Sequence, residues 1–187
     1  MVSFRNIEMF SYPYATVSQI QVPNAVWWEL ERRLVLVFLG KTHSSSAVHE
    51  QVIAGIKREG DASPRLETLR HTAERSRDAI YAGDFVAFGR AMIDNTAAQA
   101  ELHPALVNAD ARELIALAQA YGAIGWKVNG AGGEGGSLTL LCGSSASAQR
   151  SLLRSIVETN PLFQPIPIYL SRFGLRVWEG VVGASQY

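Results

Sequence analysis

Cysteine is almost absent: Cys142 is the only one in 187 residues. A disulfide framework is thereby excluded, and a lone thiol fits a reducing cytoplasm. An excess of one charge is also missing, with 17 basic and 17 acidic residues. Without a basic excess or a basic stripe, no nucleic-acid partner is expected. Long hydrophobic runs are lacking too. The longest, Leu34 to Leu39, falls far short of the ~20 residues that span a bilayer, so no membrane partner is expected. The first residues carry Arg5 and Glu8 and no apolar block, which reads against a signal peptide. What is present is globular: 48% hydrophobic and 18% charged residues exclude bulk disorder. The length predicts one domain with its own core.

Residues 6–21 read as two short extended segments around the turn signal Tyr12-Pro13-Tyr14, with Ile7 and Met9 before it and Val17, Ile20 and Val22 after it. Trp27, Trp28 and Leu30 lead into a buried strand, Leu34 to Leu39, closed by Gly40. Helices are predicted from Ser44-Ser45-Ser46 through Ile56, from Pro64 to Tyr81, and from Gly83-Asp84 to just before His103-Pro104. Asp110 to Glu113 reads as a capping box that opens a further helix, with Gly122 at its end. Strands follow at Gly125–Asn129 and Ser137–Cys142, then a helix from Ser145 to Thr159. Ile166, Ile168 and Leu170 alternate in a last main strand. Pro165 and Pro167, two apart, mark it as an edge. Leu175 to Trp178 is expected to add a short tail strand. The mixture predicts an α+β fold, an antiparallel sheet with helices on one face.

The segment Lys127 to Leu140, KVNGAGGEGGSLTL, carries the most information. Five glycines fall within Gly130 to Gly136, between two strands. Such a turn can use positive φ and aim backbone N–H groups at an anion, and Lys127 adds a point charge for phosphate. The plainer alternative is a tight hairpin. No Gly-Lys-Ser/Thr follows, and the next element is a strand, so neither a Walker loop nor a dinucleotide fingerprint is present.

This segment resembles the third signature motif of the GHMP kinase superfamily, the galactokinase, homoserine kinase and mevalonate kinase group, which reads GAGGGG before a strand. Other segments resemble that family in order: LERRLVLVFLGKTHSSSAVHEQVI, AGDFVAFGRAMIDN and FQPIPIYLSRFGLRV. The closest branch is the sugar kinases that include the D-glycero-D-manno-heptose 7-phosphate kinases. The resemblance runs from about Asn6 to Trp178. It implies a ferredoxin-like antiparallel sheet and, for the full enzyme, phosphoryl transfer from ATP and Mg to a sugar or sugar phosphate. The candidate phosphate- or substrate-binding residues are Lys127, Gly130, Ala131, Gly132, Gly133, Gly135, Gly136 and Ser137, with Ser44 and Ser45. Glu134 departs from the motif. Beside a phosphate it would repel, so it is expected to face away.

The larger departure is one of length. Members of the family run to about twice this chain and carry an N-terminal ATP loop, PxxxGLGSSA, with an acidic base in many branches; neither motif is in this sequence. Residues 1–26 then read as a hairpin that completes the sheet of a missing N-terminal domain, and 27–187 as the C-terminal domain. Its exposed strand edges predict a homodimer.

Other chemistry is thinner. Ser44-Ser45-Ser46, beside Lys41 and His43, is either an N-cap run or a sugar-phosphate holder at a helix start. Gly143-Ser144-Ser145-Ala146-Ser147 imitates an ATP loop but reads as a cap. His43, His49, His71 and His103 are scattered, so no metal site is expected, and Cys142 reads as core. Asp78, Asp84, Asp94 and Asp110 read as solvated or capping; no catalytic residue is identified. Two functions remain: the C-terminal part of a sugar kinase with a separate N-terminal partner, inactive alone, or a non-catalytic binding module derived from it.

Overall fold

The computed structural model describes residues 2–5, 14–17, 20–41, 46–59, 63–130, 135–171 and 177. Strand β1 (Val2–Arg5) pairs antiparallel with β2 (Tyr14–Val17), Val2 opposite Val17. A hairpin is therefore present, but its first strand lies upstream of Ile7 and Met9, which fall outside the described residues. Ile20 and Val22 do not extend β2; Pro23 follows them and opens a helix instead.

That helix, α1 (Asn24–Arg33), was not expected, because it runs into β3 (Leu34–Phe38) with no glycine or proline between them. Glu29 organises its last turns, accepting from Arg32 Nε at 2.8 Å and from Arg33 Nε at 2.7 Å. The Arg32 hydrogen bond, aided by Arg33, holds the Glu29 carboxyl down at about 2. Trp28 stands exposed on this helix.

Helices α2 (Ser46–Glu59), α3 (Pro64–Ala82) and α4 (Phe85–Leu102) follow close to expectation. Asp84 caps α4, accepting from Val86 N at 3.0 Å and Ala87 N at 2.9 Å. A 3-10 turn (Pro104–Leu106) leads to α5 (Ala109–Ala120). Here the expected capping box is corrected. Asn108, two residues earlier, is the cap, accepting from Ala111 N at 2.8 Å, while Asp110 sits in the first turn and reaches Lys41 Nζ at 3.6 Å. Asn is as good a cap as Asp, so the earlier residue wins by position. Strands β4 (Ala123–Asn129) and β5 (Ser137–Cys142) flank the glycine turn, and α6 (Ala146–Thr159) is capped by Ser145, which accepts from Ala148 N at 3.2 Å. Of the serines that imitate an ATP loop, Ser145 is thus a helix cap. β6 (Gln164–Ile166) is shorter than the expected alternation through Leu170. Beyond Ile166 the chain leaves the ladder, and Leu170 N donates instead to Glu31 Oε2 of α1 at 2.7 Å. Of the expected tail strand only Val177 is described, outside any strand.

The main sheet is antiparallel with order β4-β5-β3-β6, which puts the proline-bearing strand at an edge as expected. The fold is the anticipated α+β arrangement. Val35 and Val37 of β3, Leu138 and Leu140 of β5 and Val128 of β4 face α5 and α6, where Leu114, Ala118, Leu152 and Ile156 close a dry core. Cys142 belongs to it; burial pushes its thiol up to about 11. A smaller cluster, Leu30, Met92 and Leu141, ties α1 and α4 to the opposite face. No helix among the described residues is long and apolar enough to cross a membrane.

Candidate functional site

Helix α4 runs along the outer edge of β4 and satisfies that edge with side chains. The Thr96 hydroxyl lies 3.2 Å from the Trp126 carbonyl and accepts from Val128 N at 3.3 Å. One turn on, Gln99 Nε2 donates to the Gly130 carbonyl at 3.1 Å. The approach is possible only because Gly89 and Gly125 meet backbone to backbone. A Cβ on Gly89 would lie 2.2 Å from the Ile124 oxygen, and one on Gly125 would lie 2.5 Å from Gly89 Cα. An exposed strand edge is closed here by a helix.

Lys127 is on β4 just before the turn. Alternation places it with Asn129, Ser137 and Thr139, on the sheet face opposite the dry core. Its ammonium donates to Gln99 Oε1 at 2.6 Å and to the Val128 carbonyl. Both partners are neutral. Among the described residues no carboxylate pairs with it, and burial pushes its pKa down to about 8. Asn129 Nδ2 donates to Ser137 Oγ at 3.1 Å and to Thr139 Oγ1 at 3.0 Å, which fixes the strands on either side of the turn.

The turn enters through Gly130, exposed at φ 64°, and leaves through Gly136 at φ 95°. Its exit is clamped to the end of β3: Gly136 N donates to the Lys41 carbonyl at 3.1 Å, and Leu39 N donates to the Gly136 carbonyl at 2.9 Å. A Cβ on Gly135 would stand 2.0 Å from the Lys41 oxygen, so this glycine is required by close approach. Ala131, Gly132, Gly133 and Glu134 lie outside the described residues, as do Ser44 and Ser45. The clamp nevertheless brings Lys41, three residues before Ser44, against the glycine turn.

A groove of about 340 Å³ opens beside Gly130 and Gln99, lined also by His49 and Val52 of α2, Leu69 of α3 and Asn95 of α4. Asn95 is oriented by Thr72, to whose hydroxyl it donates at 2.7 Å. Asn95 and Gln99 were not singled out in the sequence, and His49 was weighed there only as a metal ligand. Asn95 and Gln99 stand one helical turn apart on α4, but that helix also carries Arg90, Asp94, Thr96 and Glu101, so they do not stand out in the sequence. No group of three or more metal-ligating side chains is present among the described residues.

Residues 76–156 match the protein-family profile described as GHMP kinases C terminal. No curated protein sequence matches the chain significantly. Among solved structures, the L. major mevalonate kinase in complex with R-mevalonate aligns with a TM-score of 0.60 at 20% identity, over 71% of this chain and 40% of that one. The Methanococcus jannaschii mevalonate kinase aligns with a TM-score of 0.56 at 13% identity, over 78% and 42%. A D-glycero-D-manno-heptose 1-phosphate kinase from Bacteriodes thetaiotaomicron aligns with a TM-score of 0.52 at 17% identity, over 82% and 38%. The chain thus spans about 40% of the length of these proteins, and the likeness is one of fold.

Proposed function

From the premise that residues 76–156 match the GHMP kinase C-terminal domain, in a chain of that fold, we propose that the protein serves as the C-terminal domain of a kinase for a sugar or sugar phosphate. The observation that carries this reading is Lys127. Among the described residues, a half-buried ammonium with only neutral partners stands at the entry of the glycine turn, and its partner Gln99 lines a groove. An anion supplies the charge such a site lacks. The phosphates of ATP fit this donor set: a cation, backbone at positive φ, and no carboxylate among the described neighbours. Mg fits less directly, since the described residues offer no ligand cluster, so it would arrive with the nucleotide. When bound, Mg-ATP supplies the phosphoryl group. Lys127 offsets phosphate charge, and Gly130, with open space where a Cβ would stand, leaves room for close approach. Catalysis of this class is mostly positioning and charge stabilisation.

The N-terminal hairpin, within residues 1–26, belongs on this reading to the sheet of a partner N-terminal domain, which brings the main ATP loop. Among the described strands, β1 and β2 pair only with each other. The compartment is a reducing cytoplasm, and in the absence of that partner domain the exposed hairpin edges join two copies in a homodimer. Light scattering of the purified chain tests this; a monomer at high concentration refutes it. Alone, the chain is expected to release no ADP in a sugar-dependent assay. The control replaces Gly132 and Gly133 by bulky residues, and release above that control overturns the expectation. The second reading is a non-catalytic module that keeps the groove. A PxxxGLGSSA segment encoded just upstream favours the kinase, and its absence favours the module.

A further inference from the structure

Gln99 uses both ends of its buried amide. Its Oε1 takes a hydrogen bond from Lys127, and its Nε2 gives one to the Gly130 carbonyl. Chemistry fixes which end is which, because an ammonium only donates and a carbonyl only accepts. Lys127 has three N–H donors. Gln99 and the Val128 carbonyl take two, and no acceptor among the described residues takes the third. The cation and the entry to the glycine turn are therefore tied to one side chain on a helix that is itself locked to β4 by Thr96 and the Gly89–Gly125 contact.

We propose that Gln99 is a positioning residue that holds the Lys127 ammonium and Gly130 as one unit and so presents the third N–H of Lys127 to a phosphoryl anion bound beside the turn. This rests on the reading of the turn as a phosphate site. The physical case is preorganisation: a lysine stem left free loses conformational entropy when it engages an anion, whereas a docked one has already lost it. His49 of α2 is the titratable group lining the groove beside Gln99 and Gly130.

The test uses the full 187-residue chain and inorganic pyrophosphate, with binding followed by calorimetry across pH. The titration of Lys127 is followed by NMR on lysine-labelled protein. Only Lys41, Lys57 and Lys127 are lysines, so Lys127→Met assigns the signal. The wild type is expected to lose affinity as pH rises through the Lys127 midpoint, and to do so equally in a His49→Gln background. Gln99→Leu is expected to weaken binding about tenfold, the scale of one charge-assisted hydrogen bond. Gln99→Glu is expected to weaken it by about a hundredfold and to raise the Lys127 midpoint, because the new carboxylate becomes the counter-ion. Gln99→Asn keeps the amide without the reach and should weaken binding as Leu does. It serves as the second variant if Glu disturbs folding. If Lys127→Met binds pyrophosphate like the wild type, the phosphate reading itself falls, and the inference with it. If Lys127→Met weakens binding but the Gln99 variants bind like the wild type with an unmoved midpoint, the inference falls alone. Weaker binding with no movement of the midpoint in Gln99→Glu indicates a merely structural role and overturns it too.

Discussion

The two sides on which helices meet the main sheet are built differently. Where α5 and α6 cover β3 and β5, the contact is apolar throughout: Val37, Leu138, Leu140, Leu114, Leu152 and Ile156 are fully buried. Where α4 meets β4, some apolar packing through Met92 and Ile124 is joined by two glycines, a threonine hydroxyl, a glutamine amide and a lysine. The first interface draws on area removed from water, which has no direction and tolerates exchange among residues of similar volume. The second depends on distances of a few tenths of an ångström and on donors matched to acceptors. Polar chemistry can be held in fixed geometry only at a joint of the second kind, and the candidate site is there.

Substitutions can break or sharpen this contrast. The largest effect is expected from Gly89→Ala. One methyl group would overlap the Ile124 backbone, so destabilisation of about 4 kcal/mol or more is expected in urea unfolding, at the exceptional end of single changes. Leu138→Ala in the dry core should cost about 3 kcal/mol, while Leu138→Met at the same place should cost under about 1.5 kcal/mol. If Gly89→Ala proves milder than Leu138→Ala, the contrast between the two joints is wrong. Thr96→Val keeps shape but strips the partner from the Trp126 carbonyl and Val128 N–H, with a loss of about 2 kcal/mol expected by the same measurement. The last effect is a slope. Lys127 is held at about 8 when folded against an ordinary 10.5, so between those values the unfolded chain binds more protons, and stability rises with pH. Cys142, raised from 9.0 to about 11, works the other way above pH 9. The quantity to measure is therefore the difference between wild type and Lys127→Met in urea midpoint at about pH 8 and about pH 10. The wild type should gain on the variant.

The dry side was legible in the sequence, because the continuous apolar run Leu34–Leu39, closed by Gly40, reports a buried strand. The edge strand was legible from its prolines, and the glycine turn from composition. The seam was not. Nothing local in Gly89 or Gly125 shows that they touch, since that contact is set by the path of α4 across the sheet. Gln99 is an ordinary helical residue until β4 is placed beside it. Helix α1 escaped because helix ends are read from glycine, proline and caps, and Arg33-Leu34 offers none. Asn108 escaped because the residue three after Asp110 is Glu113, which completes a persuasive box at the wrong start.

The closed edge of β4 has a consequence for assembly. In polymer terms the four-stranded sheet has at most one functional end. A partner strand can add only beyond β6, since α4 terminates the other side. Two copies joined through β6 would each present a terminated side outward, so addition stops at two. Growth into a continuous cross-strand fibre from this sheet is excluded by valence, whatever the strength of a single junction.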